Sequence, residues 1–372
     1  MSEGRSSAYS SAGVDYGTLD AGKRNALTEA LATSGLLTAR GGRAIDESRG
    51  EPAFVFEAGG QTLAFVLETL GTKSIIARQL EDQLGATGFD HVAYDTVAAI
   101  VNDLCCVGAL PLVVNAYFAT GSSDWYADAD RQAGLLAGWR RGCEDAGAAW
   151  GGGESPSLAG LLGAEDIELA GSAVGLIPAG QHPVLGASLA AGDEIVIVAS
   201  SGLHTNGASL ARMVAEQLPT GYETPLPSGR SFGEALLDPS LIYVKLVERL
   251  LADRLPVHYL SHITGHGLLK LMRPRRELTY HIDRLPEVPE VLRFLVEQTG
   301  MPPADAYSTL NMGCGFAVYC GPGAGAEVAR VASELGFSAA PAGRVETGPR
   351  RVVLPEVDVV FEGEALDLAP QA

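Results

Sequence analysis

The sequence is poor in basic residues, in aromatic side chains and in any ordered cysteine pattern, and each shortage removes a class of protein. Lysine and arginine total 26 against 45 aspartates and glutamates, a formal charge of −19. Most of such a surface repels a phosphate backbone, so nucleic acid is not an expected partner. The five cysteines, Cys105, Cys106, Cys143, Cys314 and Cys320, are odd in number and lack CxxC spacing. That argues against a disulfide framework and against a structural zinc site, and leaves them as small buried hydrophobes. No run approaches the ~18 uninterrupted apolar residues of a membrane span. The opening MSEGRSSAYSSAG offers no apolar leader, so a cytoplasmic protein with no membrane partner is expected. The P-loop spacing GxxxxGK[ST] and the GxSxG nucleophile elbow are also missing. Gly321-Pro322-Gly323-Ala324-Gly325 imitates a dinucleotide fingerprint, but its spacing is wrong and Pro322 removes an amide, so it reads as a tight turn.

What remains is a chain of 372 residues, 47% of them apolar, long enough for two domains that need no staples. Residues 53–67 read as two strands joined at Gly59-Gly60, 94–108 as a helix opened by Asp95, 110–119 as a buried strand and 129–146 as a second helix. A similar alternation starts near Asp193 with the strand EIVIVAS. The proline- and glycine-rich segment before it places an N-terminal domain at 1–177, a connector at 178–192, a C-terminal domain at 193–350 and an extension at 351–372. Such alternation implies mixed α/β layers, with helices covering sheets.

Acidic and amide side chains gather where these elements end: Glu68 after a strand, Asp95, Asn102 and Asp103 on one helix, and Glu154 after Gly151-Gly152-Gly153. Asp95 and Asn102 are two turns apart and share a face, with Asp103 about 100° round from Asn102. Oxygen donors of this kind suit Mg²⁺, which takes one or two carboxylates plus substrate phosphates, and they serve equally as caps and local hydrogen-bond partners. Gly71-Thr72-Lys73 offers an amide, a hydroxyl and an ammonium, a set suited to phosphate oxygens or to a plain loop. His204-Thr205-Asn206-Gly207 and Thr264-Gly265-His266-Gly267 each join a strand to a following helix. The exposed amides at such helix starts receive anions, and together they suggest a phosphorylated small-molecule ligand. His204 is placed either to move a proton or to serve a structural role.

Taken in order, GTK at 71–73, VNDLCCVGALPL at 101–112, YFATG at 117–121, GGGES at 151–155, SSGLHTNGASL at 200–210, ITGHG at 263–267 and LNMGCGFAV at 310–318, preceded by AGVD at 12–15, resemble the aminoimidazole ribonucleotide synthetase family. The resemblance implies a two-domain α/β (α+β) fold whose N-terminal domains pair into a β-barrel across a homodimer. It also implies ATP and Mg²⁺ as cofactors, and a reaction in which ATP phosphorylates an amide oxygen before an internal amine closes a ring. By position it assigns Glu68, Asp95, Asn102, Asp103 and Glu154 to metal, Gly71, Thr72, Lys73, Asn102, Gly153 and Asn206 to ATP, and Lys73, His204 and Asp103 to catalysis.

The departures fall on the acceptor side. Glu68 stands where the family has aspartate, Ala116 where it has a carboxylate, Ser157 where it has a second glutamate, and His266 where it has glycine. The resemblance therefore leaves open a cyclo-ligase, a superfamily kinase or ligase with another acceptor, or a silent nucleotide-binding partner.

Overall fold

The computed structural model describes residues 16–368 apart from residue 86. The AGVD segment at 12–15 and the last four residues of the extension lie outside them. Helix α1 (Tyr16–Leu31) precedes a six-stranded sheet. Its strands are β1 (Arg43–Ile45), β2 (Phe54–Ala58), β3 (Gln61–Thr69), β4 (Leu110–Thr120), β5 (Ala149–Glu154) and β6 (Ile167–Leu176), ordered β1-β2-β3-β6-β4-β5. Every neighbour is antiparallel except the pair β4 and β5.

Three helices belong to this half: α2 (Lys73–Leu84), α3 (Phe89–Cys105) and α4 (Ala129–Ala146). Alternation along β3 sends Ala64 and Val66 inward, where α3 packs, and leaves Phe65 and Leu67 outward at 43% and 64% exposure. The register extends that outer face into apolar rows, Phe65 with Val174 and Val113, and Leu63 with Leu176 and Leu110.

Helix α3 starts at Phe89, a turn and a half earlier than its sequence pattern suggests, and is buried at every residue from Val92 to Cys105. Asp95 is accordingly not its cap, because Gly88 occupies that position. Helix α4 crosses α3 at glycines: a Cβ at Gly138 would lie 2.0 Å from the Asp90 carbonyl oxygen, and one at Gly142 would lie 2.7 Å from Val97 Cβ. Trp139, between them, is buried edge-on to Phe118 at 5.0 Å.

The second half is a seven-stranded sheet of β7 (Glu194–Ala199), β8 (Val257–His262), β9 (Leu278–Ile282), β10 (Cys314–Cys320), β11 (Ala339–Thr347), β12 (Arg351–Leu354) and β13 (Val359–Glu362), ordered β13-β12-β9-β11-β7-β10-β8. Residues 351–362 therefore complete this sheet. Strand β10 is buried along its length, including Cys314 and Cys320, as its unbroken apolar run requires. The helices here are α5 (Ala208–Gln217), α6 (Phe232–Leu236), α7 (Val244–Ala252), α8 (Glu290–Thr299), α9 (Pro303–Thr309) and α10 (Gly325–Glu334). The segment LLKLM, expected as an α-helix, is a 3₁₀ turn, Gly267–Met272. The glycine-rich turn before α10 is filled by the chain itself, since the Gly323 and Gly325 amides donate to the Glu194 carboxylate at 3.0 and 2.6 Å. Among the described residues no helix is long and apolar enough to cross a membrane.

The α3–α4 crossing yields a prediction. Gly138→Ala gains about 1 kcal/mol of helix propensity but drives a methyl into the α3 backbone, so a net loss of about 1–3 kcal/mol is expected. The shift of the urea unfolding midpoint measures it.

Candidate functional site

Within the buried stretch of α3, Val92–Cys105, the charged and amide side chains are Asp95, Asn102 and Asp103. All three face the C-terminal half, and each is paired there. The Asp95 carboxylate takes Lys73 Nζ at 2.5 Å on one oxygen and the Ser240 amide at 2.7 Å on the other. Asn102 donates to the Leu241 carbonyl at 2.8 Å and accepts from the Tyr243 amide at 2.8 Å. Asp103 meets His262 Nδ1 at 2.6 Å. Lys73, the first residue of α2, is fully buried and also donates to the His204 carbonyl at 2.7 Å. Lys73, Asp95 and Asn102, expected at ATP or metal, thus lie in the seam between the halves with their polar atoms already engaged.

One helical step further, the seam opens into a cleft of about 860 Å³. One wall is the Gly71-Thr72 turn, where Gly71 has φ 71°. Thr72 reaches across to Ser209 Oγ at 2.9 Å. Opposite stand Asn206 and Gly207 at the start of α5, with Gly207 at φ 108° acting as the cap where Thr205 or Asn206 was expected to act. The floor carries Glu68, Asp103, His262, Lys270 and Arg273, and α1 closes one side with Leu19, Ala26 and Leu27. Two non-glycine residues in the expected anion-binding turns are left-handed, His204 at φ 58° and His266 at φ 68°, a strained backbone that clusters at functional sites.

The floor is electrostatically coupled. Burial first, and then the neighbouring Asp103 carboxylate, push the Glu68 carboxyl up to about 8, so it is protonated at neutral pH. Burial alone would raise Asp103 as well, but the hydrogen bond from His262 and the charges of Lys270 and Arg273 hold it below the ordinary carboxylate range. Burial lowers His262 against the opposing pull of Asp103, leaving the ring neutral at pH 7. Burial likewise lowers Lys270, which donates to Thr264 Oγ1. His266 bonds Asp20 of α1 at 2.8 Å and ties that helix over the cleft.

His204 stands apart from this floor. Its Nε2 meets Ser201 Oγ at 3.1 Å, its Nδ1 is buried without a partner among the described residues, and burial holds it well below its ordinary value. Gly153 and Glu154 lie on β5, an exposed edge strand, and Glu154 accepts from the Ser155 amide at 3.1 Å. Among the described residues no three histidine, cysteine or acidic side chains converge as a dedicated cation cage would require. The expected set is therefore divided: Gly71, Thr72, Asn206, Glu68 and Asp103 meet in the cleft, Lys73, Asp95 and Asn102 brace its walls, and His204, Gly153 and Glu154 lie elsewhere. Sequence reasoning did not single out His262, Lys270 or Arg273. The only sequence signal for them was their place beside the ITGHG turn.

Comparison with known proteins shows the family to which the chain belongs. The family model for the N-terminal domain of AIR synthase related proteins matches residues 50–177, and the model for their C-terminal domain matches residues 190–354. The phosphoribosylformylglycinamidine cyclo-ligase of Methanothermobacter thermautotrophicus is 33% identical over 298 residues, 80% of this chain and 83% of that protein. The protein of the same name from Methanobrevibacter smithii is 31% identical over 312 residues, 83% and 86% of the two chains. Among solved structures, the hydrogenase maturation protein HypE in complex with ATP shares the fold with a TM-score of 0.56 at 19% identity, over 78% of this chain and 80% of that one.

Two predictions follow from the seam and the floor. Asp95→Ala leaves Lys73 as an unpaired buried cation and is expected to cost about 3–5 kcal/mol in urea unfolding. Replacing both, Lys73→Met with Asp95→Leu, is expected to recover only part, because the Ser240 amide and His204 carbonyl lose their partners. The folded state holds a proton on Glu68 that the unfolded state has released between about 4.5 and about 8, so stability falls as pH rises through that window. Glu68→Gln should flatten that fall, as read from unfolding midpoints across the pH range without added metal.

Proposed function

The chain belongs to the AIR synthase-related family, and from that membership we propose that it is an ATP-dependent cyclo-ligase converting formylglycinamidine ribonucleotide to aminoimidazole ribonucleotide. The observation that carries the reading is the interdomain cleft, where the backbone turns at Gly71-Thr72 and Asn206-Gly207 face a floor of two carboxylates, a neutral histidine and buried cations. Backbone amides beside left-handed glycines bind phosphate oxygens, and Thr72 adds a hydroxyl.

The chemistry balances in two steps. The γ-phosphoryl passes to the substrate's amide oxygen, leaving ADP. The amine then attacks the amide carbon, the carbon–oxygen bond breaks, and inorganic phosphate and one proton leave. Phosphorylation turns a poor leaving group into a good one, because phosphate departs as a stabilised anion. His262, oriented through Nδ1 by Asp103, is neutral and its Nε2 is the floor's acceptor for the proton that the attacking amine releases.

The donors suit magnesium, because Glu68 and Asp103 are adjacent carboxyl groups and this ion takes one or two carboxylates plus phosphates, its charge displacing the proton that Glu68 holds in its absence. When bound there it would neutralise phosphate charge. The apolar outer rows of the N-terminal sheet, with Phe65, Leu67 and Val113 exposed, support a homodimer formed through that face, since contiguous apolar surface of this kind marks an interaction site.

ADP release in the presence of Mg·ATP tests the proposal. It is expected to rise by at least about an order of magnitude when formylglycinamidine ribonucleotide is added, with aminoimidazole ribonucleotide formed in equal amount. A chain that binds Mg·ATP but shows no stimulation by that substrate rejects the assignment.

A further inference from the structure

We propose that Lys270 and Arg273 form a second anion subsite in the cleft, one that holds a phosphate monoester of the acceptor substrate rather than the nucleotide. This rests on the reading of the chain as an enzyme with a phosphorylated substrate. The two residues lie three apart at the end of the 3₁₀ turn Gly267–Met272 and line the same cavity. Lys270 is 6% exposed, and the one acceptor it meets is Thr264 Oγ1, so its remaining N–H groups are unfilled. The Arg273 side chain makes no hydrogen bond or ion pair among the described residues, and its Nε is wholly buried.

A guanidinium cannot shed its proton, and the half-buried Arg273 side chain feels Glu51 and Asp103 only through their charge, with no hydrogen bond to either. The nearby acids are otherwise engaged: Glu51 accepts from Tyr259 Oη at 2.7 Å, and Asp103 is bonded to His262. Burial also raises the Glu51 carboxyl, which weakens it as a counter-charge. In a chain of net charge −19, two cations that line the cleft with donors unfilled point to an anionic ligand that takes those donors. A phosphate monoester carries about −1.5 to −2 charge, which matches the pair, and its tetrahedral oxygens suit the planar fork of arginine better than the point charge of lysine alone.

Position separates the Arg273 side of this subsite from the nucleotide turns, with Lys270 lining the cleft between them. Arg273, Gly50, Glu51 and Leu368 line both the cleft and an adjoining cavity of about 240 Å³, whereas Gly71, Thr72 and Asn206 line the cleft alone. The phosphate therefore sits at the end bounded by the smaller cavity, and the substrate runs from there towards Asp103 and His262.

Calorimetric titration of the full chain with ribose 5-phosphate tests the subsite. Wild type is expected to bind it equally well with and without a saturating non-hydrolysable ATP analogue. Lys270→Gln and Arg273→Met should each weaken ribose 5-phosphate by about tenfold or more while changing affinity for the analogue less than about twofold. Arg273→Lys, which keeps the charge and loses the fork, should fall between wild type and Arg273→Met, and unfolding midpoints show which variants remain folded. The proposal is overturned if wild type does not bind ribose 5-phosphate, if the analogue displaces it, if folded variants bind it as wild type does, or if analogue affinity falls in parallel. A chain that passes this test yet releases no ADP with formylglycinamidine ribonucleotide would reject the proposed reaction and leave the subsite standing.

Discussion

From Val92 to Cys105 helix α3 has no face in contact with water, and that burial governs the rest of the molecule. An apolar helix in such a position needs only packing, but the buried stretch of α3 carries two carboxylates and an amide, and each would be ruinous to bury unpaired. Their partners all come from outside α3: Lys73 on α2, the backbone at Ser240–Tyr243, and His262 on β8. Three hydrogen-bonding demands on a single helix therefore fix how the two halves are docked. The apolar contacts around them supply the bulk of the stabilisation, while the polar stripe selects one arrangement among those that would bury similar area.

The same stripe grades from structure into chemistry along its length. At Asp95 and Asn102 every polar atom has a protein partner, and the seam is closed. At Asp103, one step round the helix, the partners are a histidine and a second carboxylate, and the cleft begins. The floor is then made of groups whose charges depend on one another: Glu68 keeps its proton because Asp103 does not, and Asp103 stays ionised because His262, Lys270 and Arg273 surround it. Pairs of titratable groups pushed apart in this way are a recurring means of holding an acid and a base side by side at neutral pH.

Much of this was legible in the sequence, and the limits have physical causes. The alternating elements, the two-domain mixed fold and the buried cysteines follow from periodicity and composition, which report local structure well. The pairing of Glu68 with Asp103 was visible only as shared chemistry, because the residues that meet are 35 positions apart in the chain. The start of α3 was missed since Phe89–Val92 lies before the regular apolar spacing, so Asp95 looked like a cap. Lys73 next to Gly71-Thr72 has the appearance of a phosphate ligand, yet only the fold reveals that its ammonium turns inward to Asp95 and the His204 carbonyl. Lys270 and Arg273 carry no motif of their own, and their importance arises from burial, which sequence does not report.

The carboxylate of Glu194 gives the glycine-rich turn before α10 a meaning different from its appearance. Two amides that would welcome a phosphate already hold an anion that belongs to the chain and can never dissociate. The fold thus contains a permanently self-liganded nest whose two amides are closed to any anion from solution. An acid carried by the chain itself thereby turns a sequence that imitates a nucleotide site into a fixed joint between β7 and α10.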